Sequence, residues 1–111
     1  MPKVSSSYTI VSNSTGAGAI AGTPVNTQFV DKSTVSANVS TNTGTVVVNV
    51  KGKIGAEAYG TLETLSFSAN TGSVTKFAQV TSPFDFITAD VADKTAGGPV
   101  VVRIKTLGDL T

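Results

Sequence analysis

Apolar and polar residues alternate along much of the chain, and this period of two is typical of β-strands that bury one face. At residues 100–104 every even position is apolar. A second apolar run covers residues 84–91, and the stretch between the two runs, residues 93–99, is rich in Gly, Pro, Asp and Thr. Turn-formers between two apolar runs predict a β-hairpin, so we expect residues 82–106 to form one.

Four further runs with the same alternation precede this predicted hairpin, and each ends at a turn signal. The predicted strands are residues 33–40, 45–54, 61–68 and 73–80, with a shorter candidate at residues 27–31. In the first two runs the residues expected to point inward are Val35, Ala37, Val39, Val46, Val48, Val50 and Ile54. Only a short turn, residues 41–44, separates those two runs, so we expect them to pair as neighbours in a meander.

About six or seven short strands, with turns roughly every 8 to 12 residues, are the pattern of a sandwich rather than of a parallel βαβ sheet. We therefore predict an all-β fold, namely a single antiparallel β-sandwich or jelly-roll-like domain. The length agrees with one domain, because a chain of 111 residues buries roughly two thirds of the surface that it exposes when unfolded. The strand order stays open, since a meander and a Greek key share this turn pattern.

The first part of the chain has a different composition from the rest. Residues 1–26 are dominated by Ser, Thr, Gly and Ala. Within residues 5–24 the sizeable apolar side chains are Tyr8, Ile10, Val11 and Ile20. These are too few for a core of their own, so we predict an extended N-terminal arm at residues 1–26 and a sandwich body at residues 27–111. The arm is expected to be held by the body, by a sister subunit or by a larger surface.

Charge is sparse, which narrows the possible partners. Charged residues make up 14% of the chain, against a usual quarter or so. Seven lysines and one arginine oppose seven acids without forming a run, so we expect neither a nucleic acid nor a membrane as partner. A weakly charged surface is instead one that another protein can cover. The opening residues, Met-Pro-Lys-Val-Ser, lack the apolar segment of a secretory signal, so we expect synthesis in a cytoplasm.

The residue types argue against catalysis and against a bound cofactor. The chain has no histidine and no cysteine, which removes the commonest general base, the thiolate nucleophile and most zinc sites. A glycosidase would use two of the acids, but aromatic residues make up only 6% of the chain, too few to line a sugar cleft. The glycine-rich residues 16–22 lack the helix that a dinucleotide-binding loop requires. We therefore predict a protein that is not an enzyme.

Two sets of charged residues are candidate ligand sites. Asp85, Asp90 and Asp93 have carboxylates that suit calcium, but their spacing matches no calcium loop, so we predict solvated and turn-forming acids and no metal. The four cations Lys51, Lys53, Arg103 and Lys105 form a basic stripe only if their strands pair side by side. Without interleaved aromatic residues such a stripe is a weak signal for nucleic acid.

Three segments between residues 45 and 106 resemble small β-sandwich proteins from the virions of tailed bacteriophages. They are VVVNVKGKI, TLETLSF and PFDFITADVADKTAGGPVVVRIKT. The resemblance implies a non-enzymatic structural protein, with a capsid decoration (cement) protein as the leading hypothesis. Its implied partners are the major coat protein and further copies of itself in a homotrimer. Its implied location is the capsid surface of the virion.

The expected contact residues follow from this hypothesis, and two alternatives stay open beside it. The expected interface residues are Tyr8, Ile10, Val11, Ile20 and Tyr59. One alternative is a carbohydrate-binding or tail accessory module that presents Tyr8, Tyr59 and Phe86 to sugars. The other is a self-polymerising fibre subunit that donates its arm as a strand to the next copy.

Overall fold

A computed structural model describes residues 3–14, 19–40, 44–69, 71–94 and 99–109 of the chain. The described residues form eight β-strands and contain no helix with the length and apolarity needed to cross a bilayer. The strands are β1 (Lys3–Ser14), β2 (Val25–Asn26), β3 (Val30–Ser40), β4 (Val46–Lys53), β5 (Gly60–Phe67), β6 (Ser73–Val80), β7 (Phe86–Lys94) and β8 (Val100–Asp109).

The strands form two four-stranded antiparallel sheets. The strand order is β1-β8-β3-β6 in the first, which we call sheet A, and β2-β7-β4-β5 in the second, sheet B. Of the connections between consecutive strands, only the one from β4 to β5 stays within a sheet, and the others cross to the opposite sheet. Two interleaved sheets of this kind make a jelly roll. The predicted all-β, jelly-roll-like sandwich is confirmed.

The core lies between the two sheets and follows the alternation of the sequence. Val35, Ala37 and Val39 on β3 are fully buried, and so are Val46, Val48 and Val50 on β4. Small β-branched side chains suit this position because they pack closely on a pleated surface. The prediction for Ile54 is wrong, since this side chain is 56% exposed. β4 ends at Lys53, and Gly55, with a φ of 57°, already belongs to the turn that follows.

The predicted hairpin at residues 82–106 is also wrong. β7 belongs to sheet B and β8 to sheet A, so the two strands face each other across the core instead of pairing. The predicted meander of β3 and β4 fails for the same reason. Turn-forming residues indicate that the chain reverses, but they do not indicate whether it stays in its sheet. The turns predicted within residues 41–43 and 95–98 lie outside the described residues.

We expected residues 1–26 to form an extended arm held by the body, by a sister subunit or by a larger surface, and the described part of this segment forms strands that pair with the body. β1 pairs with β8 from Lys3 opposite Asp109 to Ser14 opposite Val100, and β2 pairs with β7. A register shift between Thr9 and Val11 interrupts the alternation. As a result two consecutive apolar side chains, those of Ile10 and Val11, are buried. The described part of the segment therefore completes the core. Residues 16–18 of the glycine-rich stretch lie outside the described residues.

Candidate functional site

The structure separates the five residues expected at an interface. Ile10 and Val11 are buried in the protein's own core, so the expectation that they contact a partner is wrong. Ile20 is partly buried, and its backbone exchanges hydrogen bonds of 2.9 and 2.8 Å with Val91 on β7. Tyr8 is 48% exposed on the edge strand β1. Tyr59 is partly buried in the connection between β4 and β5.

Four large apolar side chains remain exposed at one end of the sandwich. They are Val4, Phe29, Ile54 and Leu62, with 37%, 63%, 56% and 39% of their surface exposed. At this end of the sandwich β4 and β8 end, and β1, β3 and β5 begin, because neighbouring strands are antiparallel. We call this surface, defined by the four side chains, the apolar end.

Backbone contacts hold the loops of the apolar end in place. Gly108 on β8 is paired with Val4 on one side and Val30 on the other. A Cβ atom at Gly108 would lie only 2.2 Å from the carbonyl oxygen of Phe29, so the connection from β2 to β3 packs directly on β8. The backbone that carries Phe29 is therefore held in place by its contact with β8. Such a surface loses little conformational entropy when a partner covers it.

Asp85 joins three connections at the same end. Its carboxylate accepts a hydrogen bond of 2.5 Å from the Gly55 N–H, and its own N–H donates to the Lys53 carbonyl at 3.0 Å. The Asp85 carbonyl accepts from the Thr27 N–H at 2.9 Å. The Thr27 hydroxyl in turn donates to the Phe84 carbonyl at 2.7 Å. Asp85 therefore braces the loops that carry Phe29 and Ile54, and it is not the solvated strand residue that we predicted.

A second cluster lies on the outer face of sheet B, and we call it the aromatic cluster. Its members are Lys53, Tyr59 and Phe86. The Lys53 ammonium lies 5.0 Å from the Tyr59 ring centroid and 5.1 Å from that of Phe86, a cation–π arrangement with both rings. Burial, with a smaller contribution from the negative charge of Asp90, raises the pKa of Tyr59 above its usual value. The Tyr59 hydroxyl therefore remains a hydrogen-bond donor at neutral pH.

An ion pair lies next to the aromatic cluster. Lys51 Nζ is 2.8 Å from Asp90 Oδ2, and the Gly22 N–H donates to Asp90 Oδ1 at 3.1 Å. Partial burial favours a raised pKa for Asp90, but the hydrogen bonds from Lys51 and Gly22 and the charge of Lys51 outweigh it and lower the pKa. Thr88 lies beside Lys51 in the register and is buried, and its Oγ1 has no partner among the described residues.

Neither of the two candidate sets of charged residues forms a ligand site among the described residues. Asp85 and Asp90 bind different loops, the side chain of Asp93 lies outside the described part, and the described residues contain no group of three or more acids that would hold a metal ion. The condition for a basic stripe is not met, because Lys51 and Lys53 lie on β4 in sheet B whereas Arg103 and Lys105 lie on β8 in sheet A.

No protein-family model matches the chain, and no curated protein matches its sequence. Solved structures share its fold. The SPBc2 prophage-derived protein YomS is 15% identical with a TM-score of 0.65, and the match covers 97% of this chain and 96% of that chain. Murine APRIL is 16% identical with a TM-score of 0.52, covering 94% of this chain and 99% of that chain. The Eiger TNF from S. frugiperda is 12% identical with a TM-score of 0.53, covering 100% and 94%. At these identities the likeness establishes the sandwich fold.

Proposed function

We propose that this chain is a non-enzymatic structural protein of a bacteriophage virion, namely a capsid decoration protein that binds the coat lattice through its apolar end. The observation that carries the proposal is the apolar end itself, where four large apolar side chains are exposed on braced loops. A phage origin is supported by the resemblance in the sequence and by the whole-length likeness to a prophage-derived protein.

The size of the apolar end supports assembly in several copies. The strands follow the longest dimension of the chain, because the 12 residues of β1 span roughly 40 Å. The two shorter extents are 27 and 18 Å, so an end offers about 500 Å², below the roughly 800 Å² per partner of a standard stable interface. One such contact is weak, whereas three linked contacts bind with high avidity. We therefore retain the homotrimer as part of the proposal.

Binding of this kind stabilises a head by mass action. A protein that binds only the assembled lattice shifts the equilibrium away from disassembly, by about 2.7 kcal/mol when its free concentration is 100 times its Kd. Burial of apolar side chains supplies the driving force, at roughly 25 cal/mol for each Å² removed from water. The mechanism needs a rigid, weakly charged body and uses no reactive group.

Sedimentation with purified phage heads tests the proposal. We expect the wild-type protein to co-sediment with heads of the phage that encodes it, and the variant Phe29→Ser/Ile54→Ser to lose at least tenfold in apparent affinity. Phe77→Ser is the matched control, because Phe77 is 61% exposed but lies on β6, away from the apolar end. Wild-type protein that stays at the top of the gradient, or an equal loss in the control, contradicts the proposal.

A carbohydrate-binding module is the second candidate, and the aromatic cluster favours it. Two of the aromatic residues predicted to meet sugars, Tyr59 and Phe86, come together around Lys53 on one exposed sheet face. Tyr8 lies elsewhere, beside Thr23 and Pro24. A glycan array on wild-type protein, with Tyr59→Ala and Tyr8→Ala as a matched pair, decides the matter. Binding that depends on Tyr59 alone supports this candidate, and an array without binding removes it.

The fibre alternative has less support. Its mechanism requires an N-terminal strand that is free to enter a neighbouring subunit. In the structure β1 is paired with β8 of the same chain over most of its length, and two of its side chains lie in the core. A donated strand would first have to leave its own sheet.

A further inference from the structure

The outer face of sheet A is a separate surface whose side chains come from all four strands. Its register places the residues in rows across the sheet. One row consists of Ser7, Lys105, Thr34 and Gln79, and the next of Thr9, Arg103, Ser36 and Phe77. Leu107 and Lys32 precede these rows, and Val101, Asn38 and Thr75 follow them. Short hydroxyl and amide side chains therefore surround a few long cations.

The charged side chains described in these rows are all positive. Lys32, Arg103 and Lys105 are the charged side chains in the rows just described, and none of the three forms an ion pair with a described residue. Arg103 and Lys105 are two residues apart on β8, about 7 Å, and Lys32 is diagonal to Lys105 at about 7–8 Å. Of the acids nearest along the chain, Asp31 sits in the register shift at the start of β3, and Asp109 is paired with Lys3 beyond these rows.

Two lysines on sheet B, in contrast, have partners. On sheet B the Lys51 charge is neutralised by Asp90 at 2.8 Å, and Lys53 is held between two rings. Lys32, Arg103 and Lys105 have no such partners among the described residues, although the whole chain carries a formal charge of only +1. A face with one sign of charge on a nearly neutral protein attracts ligands of the opposite sign.

Two depressions follow one another along the strands of this face. The first, of about 350 Å³, contains Lys32 and Lys105 among Ser5, Thr34, Gln79 and Thr81. The second, of about 300 Å³, contains Arg103 with Ser36, Asn38 and Thr75. Each depression therefore combines one or two cations with several hydrogen-bonding groups. A ligand that fits both carries repeated acidic groups between repeated hydroxyl groups.

We propose that the outer face of sheet A binds an anionic polysaccharide. Lys32, Arg103 and Lys105 contact the acidic groups through charge-assisted hydrogen bonds, and the hydroxyl and amide side chains bond to the sugar hydroxyls. Cross-strand hydrogen bonds such as that from Asn38 Nδ2 to Thr75 Oγ1, 2.7 Å long, hold these polar side chains in place. The proposal concerns a different surface from the apolar end and stands without the capsid role.

The composition of the face favours a polysaccharide over other anionic partners. Phe77, at the edge strand β6, is the aromatic residue of the described rows, whereas single-stranded nucleic acid is bound by several stacked aromatic side chains. A protein partner is expected to meet an apolar centre with a polar rim. Here the centre, formed by β8 and β3, carries cations and hydroxyl groups.

Binding to immobilised polymers tests this inference. The probes are polygalacturonate for carboxylates and dextran sulfate for sulfates, with neutral dextran and single- and double-stranded DNA as comparators. We expect binding to one or both anionic polysaccharides, none to neutral dextran, and weaker binding as salt rises, because exposed charges are screened. Lys105→Gln and Arg103→Gln should each lower the affinity about tenfold, the loss expected for one charge-assisted hydrogen bond.

The matched control is Lys76→Gln, which removes the same charge from a side chain that contacts the Ser66 carbonyl and the Phe67 ring instead of the outer face. It should change the affinity less than twofold, and thermal melts should show all three variants folded. The proposal is overturned if the wild type binds neither anionic polysaccharide. It is also overturned if DNA binds as tightly as the polysaccharides, or if Lys76→Gln loses as much affinity as the two sheet A variants.

Discussion

Replacing Ile10 by alanine tests whether the N-terminal segment is part of the sandwich core or an arm held by another subunit or surface. Ile10 lies on β1, where the register shift turns it into the core and leaves only 3% of it exposed. If residues 1–26 were an arm held by a sister subunit or a larger surface instead of the body, the same change would leave the free energy of unfolding nearly unchanged. Tyr8→Ala, two residues away and 48% exposed, is the control.

The magnitude follows from the burial. The change removes three carbon atoms, which at about 0.8 kcal/mol each is a transfer loss of about 2.4 kcal/mol. The cavity left beside the core residues raises the total to about 3–4 kcal/mol, within the usual range for Ile→Ala. A domain of this kind has about 5–15 kcal/mol of stability, so the variant should still fold.

Urea unfolding followed by circular dichroism measures the effect. With an m-value of about 1–3 kcal/mol per molar, the midpoint for Ile10→Ala should fall by about 2 M. Tyr8→Ala should change the free energy of unfolding by less than about 1 kcal/mol. Equal midpoints for wild type and Ile10→Ala would refute the assignment of β1 to the core.

Three further predictions concern other parts of the structure. Gly108→Ala should destabilise the fold by about 1–3 kcal/mol in thermal melts, because its Cβ would meet the Phe29 carbonyl oxygen at 2.2 Å; an unchanged Tm contradicts this packing. Asp90→Asn should cost about 0.5–1 kcal/mol in urea unfolding at pH 7. Because the folded pKa of Asp90 is lowered, its stabilisation is complete above the unfolded value of 3.8 and is lost as pH falls through the folded value. The gap between wild type and variant should therefore close in acid, and a constant gap is the contrary result. Ultraviolet titration of Tyr8→Phe protein should give a Tyr59 midpoint above 10.0, and a midpoint at or below it contradicts the burial of the ring.

The positions of the strands and their buried faces can be read from the sequence. The alternation at Val35, Ala37 and Val39 fixes which side of β3 is inward, and β6 begins and ends as predicted. Strand pairing cannot be read in the same way. In a two-sheet fold every strand buries one face whichever sheet it joins, so the pattern of β7 and β8 is the same for a hairpin as for two strands facing across the core.

For the candidate sites, too, the residue types can be read from the sequence but their arrangement in space cannot. Tyr59 and Phe86 were recognisable as aromatic residues available to a ligand, but their meeting around Lys53 depends on the turn between β4 and β5 and on the register of β4 with β7. The sequence does not indicate that Lys32 lies near Lys105, because the two residues become neighbours only through the pairing of β3 with β8. A bulge such as that at Thr9 leaves no reliable mark either, and so the burial of two successive residues in β1 was missed.

The most direct test of the proposed function is a cryo-electron microscopy reconstruction of phage heads saturated with the purified protein. The proposal predicts density for three sandwiches grouped on the outer surface of the head, with the connections β2–β3 and β4–β5 against the coat and Phe29 in the contact. Heads without added density at saturation, or sandwiches attached by a sheet face with the apolar end in solvent, would contradict it.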